Sequence, residues 1–290
     1  MEFVDRTVPA NFNLFLFGDI HVGTLLYHEE GFDEFVDMLN SPYADCKHNV
    51  AIGMGDYIEA IDTSDKRFDV DTVDRGMIRP DEQISYIIGK LKSSAKKIAL
   101  LKMGNHEGKL TKYYDYSRMA AHQLGVPYGT YTAVTTFSRR PTAGPPKEKY
   151  LFKSFTTHGY GSINSIADDP ERVEANLNLS LKRKLKNKAG DCAIMAMGHT
   201  HKLLVARPKT KLYLTSDGRE LHQHYTKSDQ AAKYIHPDHR WYVNTGSFMR
   251  LYLKGVSGYA ERAMYDPMEI GFAVVRIREC EIQDVDKVFV

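Results

Sequence analysis

The chain has 290 residues, with 39 Lys and Arg against 37 Asp and Glu and a formal charge of +2. At roughly 150 residues per domain that suits one large domain or two small ones, and 11% aromatics with ordinary Gly and Pro exclude a disordered or low-complexity chain. No apolar run approaches the ~20 residues of a membrane span, and the first ten residues carry Glu2, Asp5 and Arg6 where a signal peptide would need an apolar core.

Along the chain one pattern recurs five times: a short apolar run ends in Gly or Thr and passes straight into metal-type ligands. Leu14–Phe17 leads into Gly18-Asp19-Ile20-His21, and Val50–Met54 into Gly55-Asp56. Ile98–Met103 leads into Gly104-Asn105-His106-Glu107, Tyr150–Phe155 into Thr156-Thr157-His158-Gly159, and Ala193–Met197 into Gly198-His199-Thr200-His201. Runs this short and Gly-bounded predict buried strands. Between them, Phe32-Phe35-Val36-Leu39, Ile84-Ile87-Ile88-Leu91 and Val173-Leu177-Leu181-Leu185 have helical spacing. Trp241–Asn244 and Phe272–Ile277 read as further strands, 202–240 as a long polar insertion with a hairpin near Leu212-Tyr213-Leu214, and 138–149 as an exposed loop. Strand and helix alternate with no clear linker, so an α/β fold in a single domain spanning 1–290 is expected. In such folds ligands gather outside the carboxyl ends of the strands, where these five runs would bring their Asp, Asn and His side chains together.

The cysteines, Cys46, Cys192 and Cys280, form no CxxC pair. A disulfide framework or thiolate zinc site is therefore not expected, and a reducing, cytoplasmic location is. The ligand-type residues are Asp19, His21, Asp56, Asn105, His106, His158, His199 and His201. Imidazole, carboxylate and amide oxygen together suit Mn, Fe, Zn or Ni better than Mg or Ca, which favour all-oxygen shells. Eight such groups exceed the needs of one tetrahedral ion. Two ions about 3.5–4 Å apart would use most of them and suit in-line displacement at phosphorus. A lone Asp-x-His or His-x-His is more often structural; five motifs that each follow an apolar run are not readily a coincidence.

Taken in order, GDIHVG (18–23), GDYIEA (55–60), GNHE (104–107), THG (157–159) and GHTH (198–201) resemble the calcineurin-like metallophosphoesterase superfamily, and VNTGS (243–247) resembles its closing strand-and-turn with Thr245 in the place of a proline. The resemblance implies a four-layer α/β/β/α sandwich with the metal site at the strand ends. By the same resemblance Asp19, His21 and His201 hold one metal, Asn105, His158 and His199 hold a second, and Asp56 bridges them. His106 is the general acid, oriented by Glu59. Manganese is the first choice of metal, and a hydroxide bridging the two ions is the implied attacking group. Protein phosphatases of the family usually carry Arg after the position of Glu59; here it is Ala60. The opening GDIHVG and the GHTH pair look more like the phosphodiesterase and nuclease branches. A phosphodiester substrate, in nucleic acid or a nucleotide, is therefore expected. A phosphomonoesterase, a nuclease subunit that needs a partner and a non-catalytic scaffold of the same fold are the alternatives.

Three features bear on substrate and partners. Residues 171–188 carry six cations, Arg172, Lys182, Arg183, Lys184, Lys186 and Lys188, against Glu171 and Glu174. They read as a phosphate-contact surface or as a solvated helix face. Tyr113, Tyr114 and Tyr116, beside Lys109, Lys112 and Arg118, read as a stacking surface or a core stripe. The 202–240 segment, with His222, His224, His236 and His239, reads as a lid or dimer contact. No membrane partner is expected.

Overall fold

The computed structural model describes residues 1–61, 63–65, 68–140 and 148–290, Tyr259 by its backbone alone. It is a mixed α/β fold built on two large sheets. One has five strands in the order β13-β12-β2-β3-β4. Here β2 is Phe12–Phe17, β3 Asn49–Gly53, β4 Ile98–Leu101, β12 Gly271–Arg278 and β13 Glu281–Phe289. β2, β3 and β4 run parallel, and β12 joins β2 antiparallel. The other has six strands in the order β1-β5-β6-β7-β11-β8. Its strands are β1 Glu2–Thr7, β5 Thr132–Arg139, β6 Lys149–Thr157, β7 Ile194–Met197, β8 Leu203–Ala206 and β11 Trp241–Thr245.

Every residue of β2 is buried, although its side chains point alternately to opposite faces. Phe12, Leu14 and Leu16 enter a core shared with Ala133, Phe137, Phe152, Ile194 and Val243 of the six-stranded sheet. Phe15 and Phe17 enter a second core on the other face. A strand covered on both sides reads in sequence as an unbroken apolar run. Asn13 interrupts the run and is buried, but its amide donates to the Tyr43 carbonyl at 2.8 Å and to Asn49 Oδ1 at 2.9 Å, which offsets its desolvation.

The second core is closed by α1 (Glu29–Asn40), α2 (Pro80–Leu91) and α4 (Tyr116–Leu124); the short α3 (Asn105–Leu110) precedes α4. The apolar residues sit where helical spacing predicts: Phe32, Phe35 and Leu39 on α1, and Ile84, Ile87 and Leu91 on α2, all buried. Phe35 is central, its ring 4.6 Å from that of Phe17 and 4.9 Å from that of Phe272. A third core packs α5 (Pro170–Leu185) on the six-stranded sheet through Leu177, Leu181 and Leu185, an i, i+4 ladder. Asp169 caps α5 by accepting from Arg172 N, and Pro170 at the first position fixes φ where no donor is needed.

Two sequence readings change. The 138–149 loop is shorter: Ser138 and Arg139 continue β5 and pair with Tyr150 and Lys149 of β6, while 141–147 lie outside the described residues. The 202–240 insertion is not all insertion. Its first stretch is β8, which pairs antiparallel with β11, and Ile235 reaches the core between the sheets. The expected hairpin is present as β9 (Leu212–Ser216) and β10 (Leu221–Tyr225), exposed along its whole length. The three cysteines are free. Among the described residues no helix is long and apolar enough to cross a membrane.

Candidate metal centre

Asp19 and His21 follow β2, Asp56 follows β3, and Asn105 and His106 follow β4. His158 follows β6, and His199 and His201 follow β7. The two sheets thus deliver their chain turns to one place. Asp19, His21, Asp56, His199 and His201 all have φ between 50° and 71°. Non-glycine residues rarely adopt this region, and each such turn costs on the order of 1–3 kcal/mol, so it persists only where the surroundings over-determine it. Here the backbone does so. His199 N donates to Asp19 Oδ2 at 2.9 Å, His106 N donates to Asp56 Oδ1 at 2.8 Å, and the Asp19 carbonyl accepts from Phe248 N and Ser247 Oγ. Gly104 and Gly198 leave the room needed: a Cβ at Gly104 would lie 2.0 Å from Asp56 Oδ1, and one at Gly198 2.6 Å from Asp19 Oδ2.

The imidazoles are held by their outer nitrogens. His21 Nδ1 pairs with Glu59 Oε2 at 2.7 Å, His158 Nδ1 with the Met54 carbonyl at 2.9 Å, and His106 Nδ1 with the Glu59 carbonyl at 2.5 Å. A ring that donates through Nδ1 presents Nε2 as a lone pair. Those lone pairs converge. His21 Nε2 is 3.1 Å from His201 Nε2, which is 3.5 Å from Asp19 Oδ1. His158 Nε2 is 3.2 Å from Asp56 Oδ2, which lies 4.0 Å from His21 Nε2 on its other side. Among the described residues, Asp19, His21 and His201 form one group with ligand atoms within 4.8 Å of one another, and Asp56, His158 and His199 form another. A third, His21, Glu59 and His106, overlaps them, but there both rings already spend Nδ1 on Glu59.

The Asn105 amide reports on the same chemistry. With its oxygen inward it stands 2.9 Å from His158 Nε2 and 2.5 Å from His199 Nδ1, completing a set of acceptors. With its nitrogen inward it would donate to both and to Asp56 Oδ2 at 3.3 Å. A proton donor or a cation can satisfy this cluster, and the oxygen-inward setting is the one a cation selects.

Charge tells the same story. Burial opposes ionisation of Asp56, yet His158, His106 and His21 hold its carboxyl well below the usual range; burial opposes charging His158, yet Asp56 and Asp19 raise it to about 9. His21 likewise rises to about 9, because Glu59, with Asp56 and Asp19, outweighs its desolvation. Two buried carboxylates thus gather positive charge, protons when nothing else is available. Burial and the charge of neighbouring His21 push His106 down.

Glu59 therefore plays two parts: its carboxylate grips His21, with Oε2 3.7 Å from His106 Nδ1, and its carbonyl takes the His106 ring. Sequence reasoning quoted Glu107 only as motif spelling. Its buried carboxylate accepts from Asp56 N at 3.1 Å, Tyr57 N at 2.6 Å and Gly104 N at 3.0 Å, tying the β3 turn to the β4 turn. The contact with Gly104 N is a local cap at the start of α3, but no local signal marks the grip on Asp56 N and Tyr57 N some fifty positions away. Of the basic run, Lys182 on α5 is committed to Asp238 and Lys184 to the Tyr160 carbonyl, while Arg183, and Lys186 and Lys188 past the helix end at Leu185, are exposed. Tyr113 and Tyr114 are exposed, and Tyr116 packs against the second core. His222 and His224 sit on the exposed hairpin, where they meet Asp217 and Thr215.

No protein-family model and no curated protein matches the chain. Among solved structures it is similar to a conserved uncharacterized protein, a predicted phosphoesterase, from Streptococcus pneumoniae TIGR4. The TM-score is 0.34 and the identity 15%, over 97% of this chain and 91% of that one. A likeness at that level carries no argument, and the centre is read from its own geometry.

Proposed function

We propose that the chain is a dinuclear-metal phosphoesterase of the calcineurin-like superfamily, built as its four-layer sandwich and favouring phosphodiesters. One observation carries the reading: imidazole and carboxylate groups in two sets meet around Asp56 Oδ2, with Nδ1 of His21 and of His158 turned outward onto Glu59 and the Met54 carbonyl. That donor set fits two divalent transition metals, manganese first, with Fe, Zn or Ni as substitutes. Asp19, His21 and His201 would hold one, Asn105, His158 and His199 the other, and Asp56 both. When bound, such a pair activates water and neutralises charge on the phosphoryl oxygens.

The chain's own residues do the rest. Backbone donors aim Asp19 and Asp56 inward, and the imidazoles around them keep both carboxyls low against their burial. The Glu59 carbonyl fixes His106 Nδ1, which leaves Nε2 as the atom that stabilises or protonates the departing oxygen. The Glu59 carboxylate sets the ring of His21.

The test is metal content by mass spectrometry, with Mn-supplemented turnover of bis-p-nitrophenyl phosphate and p-nitrophenyl phosphate measured side by side. Near two metals per chain with the diester preferred is expected. A preference for the monoester would make the protein a phosphatase. Neither metal nor turnover would leave the scaffold alternative.

A further inference from the structure

Tyr160 stands two residues past His158, within about 7 Å of it by backbone reach, yet it is 77% exposed. This exposed ring is fixed in place. Lys184 Nζ donates to the Tyr160 carbonyl at 3.0 Å and lies 4.8 Å from the ring centroid. Before it, the Gly159 carbonyl accepts from Tyr131 OH at 2.6 Å, and a Cβ on Gly159 would meet Met197 Cε at 2.5 Å and Gly198 O at 3.4 Å. The backbone that carries Tyr160 is therefore locked to the turn that carries His199. After it, Ile163 is buried and Ser165 Oγ accepts from Asn176 Nδ2 of α5 at 3.2 Å. An aromatic ring held by a cation beside a phosphoester centre has the attributes of a base-stacking platform.

We propose that Tyr160 and Lys184 form a subsite that seats the unpaired base flanking the reacting phosphate, so that the substrate is a single-stranded nucleic acid. The proposal rests on the phosphoesterase reading above and narrows it. The base next to a phosphodiester lies only a few ångströms from it, and Tyr160 follows the candidate ligand His158 by two residues. Stacking takes any base but needs it free of a partner strand, since bases in a duplex are stacked on one another. Near Lys184 in the chain, Arg183 and, just past the last residue of α5, Lys186 and Lys188 are exposed and add positive charge that could meet neighbouring phosphates. Tyr113 makes the contrast. It is 79% exposed with Lys112 Nζ 5.6 Å from its ring centroid, but it lies beyond the end of α3, seven residues past His106.

Two readouts test the subsite. The first is kcat/KM of the Mn-loaded protein on thymidine 5′-p-nitrophenyl phosphate against methyl p-nitrophenyl phosphate, two diesters with one leaving group that differ in carrying a nucleoside or a methyl group. The second is fluorescence anisotropy of a labelled oligothymidylate with the metal-free protein in EDTA at low salt. Tyr160→Ala is expected to lower the nucleoside-ester rate about tenfold more than the methyl-ester rate and to weaken oligothymidylate binding by a similar factor, within the range of one base stack. Tyr160→Phe keeps the ring and retains both properties, and Tyr113→Ala does not reproduce the loss. Equal effects on the two esters with unchanged anisotropy, equal damage from Phe and Ala, or duplex bound as tightly as single strand would each overturn the subsite. If the wild type turns over neither ester, the phosphoesterase reading fails by itself, and the anisotropy series still decides whether Tyr160 stacks bases.

Discussion

His106 differs from its neighbours in having nothing to hold. Its Nδ1 is committed to the Glu59 carbonyl, its backbone N–H to Asp56, and neither ring nitrogen belongs to the Asp19 or the Asp56 ligand group. In the proposed reaction a residue so placed would act on the leaving oxygen. His106→Ala should therefore leave both metals bound while lowering kcat by about 10²–10⁴-fold on diesters with alkoxide leaving groups. With p-nitrophenolate, already a stable anion, the loss should be much smaller. Equal losses across a leaving-group series would remove the general-acid role. Glu107 has the opposite character, touching neither ligand group and acting only by clamping two turns through backbone donors. The first role follows from a motif; the second follows from two turns meeting, which only the folded chain reveals.

At the scale of elements, helices and strands with strong apolar periodicity were legible, and weakly patterned ones were not. α1, α2 and α5 each bury three or more side chains at helical spacing. β1, an edge strand reading Glu-Phe-Val-Asp-Arg-Thr, is two-thirds polar and exposes Phe3; nothing in it distinguishes a strand from a solvated terminus until β5 pairs with it. α4 was missed because its buried face uses Ser117, Ala120 and Ala121, small residues that carry little hydrophobic signal. The hairpin of β9 and β10 returns to the body through Asp238, which joins Lys182 of α5 to Lys211 at the hairpin's base and accepts from Lys209 N through its carbonyl at 2.7 Å. The two lysines hold the Asp238 carboxyl well below its ordinary value of 3.8. A depressed carboxyl stabilises the fold at all pH above that ordinary value and loses its contribution as pH falls through the folded one. The pair is partly open to solvent, so Asp238→Asn should cost only about 1 kcal/mol at neutral pH. That difference should persist from pH 7 to about 4 and shrink below it. Urea midpoints of both proteins at pH 7, 5 and 3.5 measure this, and a gap independent of pH would deny the ion pair its part.

For the molecule as a whole, the candidate centre couples both sheets, because its ligands come from β2, β3 and β4 on one side and from β6 and β7 on the other. A cation held there would bind the folded chain and not the unfolded one. At 100 times its Kd, one such ion adds about 2.7 kcal/mol, or on the order of 4–5 °C in Tm for a chain of 290 residues. Melting with Mn should therefore run well above melting with EDTA. Asp56→Asn, which removes the shared carboxylate charge, should lose most of that increment when each protein is compared with its own melting in EDTA. Coincident wild-type curves in Mn and EDTA would argue against a metal centre at this place.

The sequence by itself determined which residues are available and roughly in what order they arrive. Short apolar runs report strands covered on both faces, helical spacing reports the flanking layers, and the Asp, Asn and His that follow each run identify ligand chemistry, because these are local signals with local causes. Tertiary structure decided what local signals cannot carry. It decided that two sheets bring their turns to one point, and that Asp56 lies between two groups of imidazoles. It decided that Glu59 divides its carboxylate and carbonyl between His21 and His106, and that part of the apparent insertion at 202–240 is a sheet strand. Each of these rests on contacts between residues tens to hundreds of positions apart, and such contacts exist only once burial of the apolar runs has closed the chain on itself.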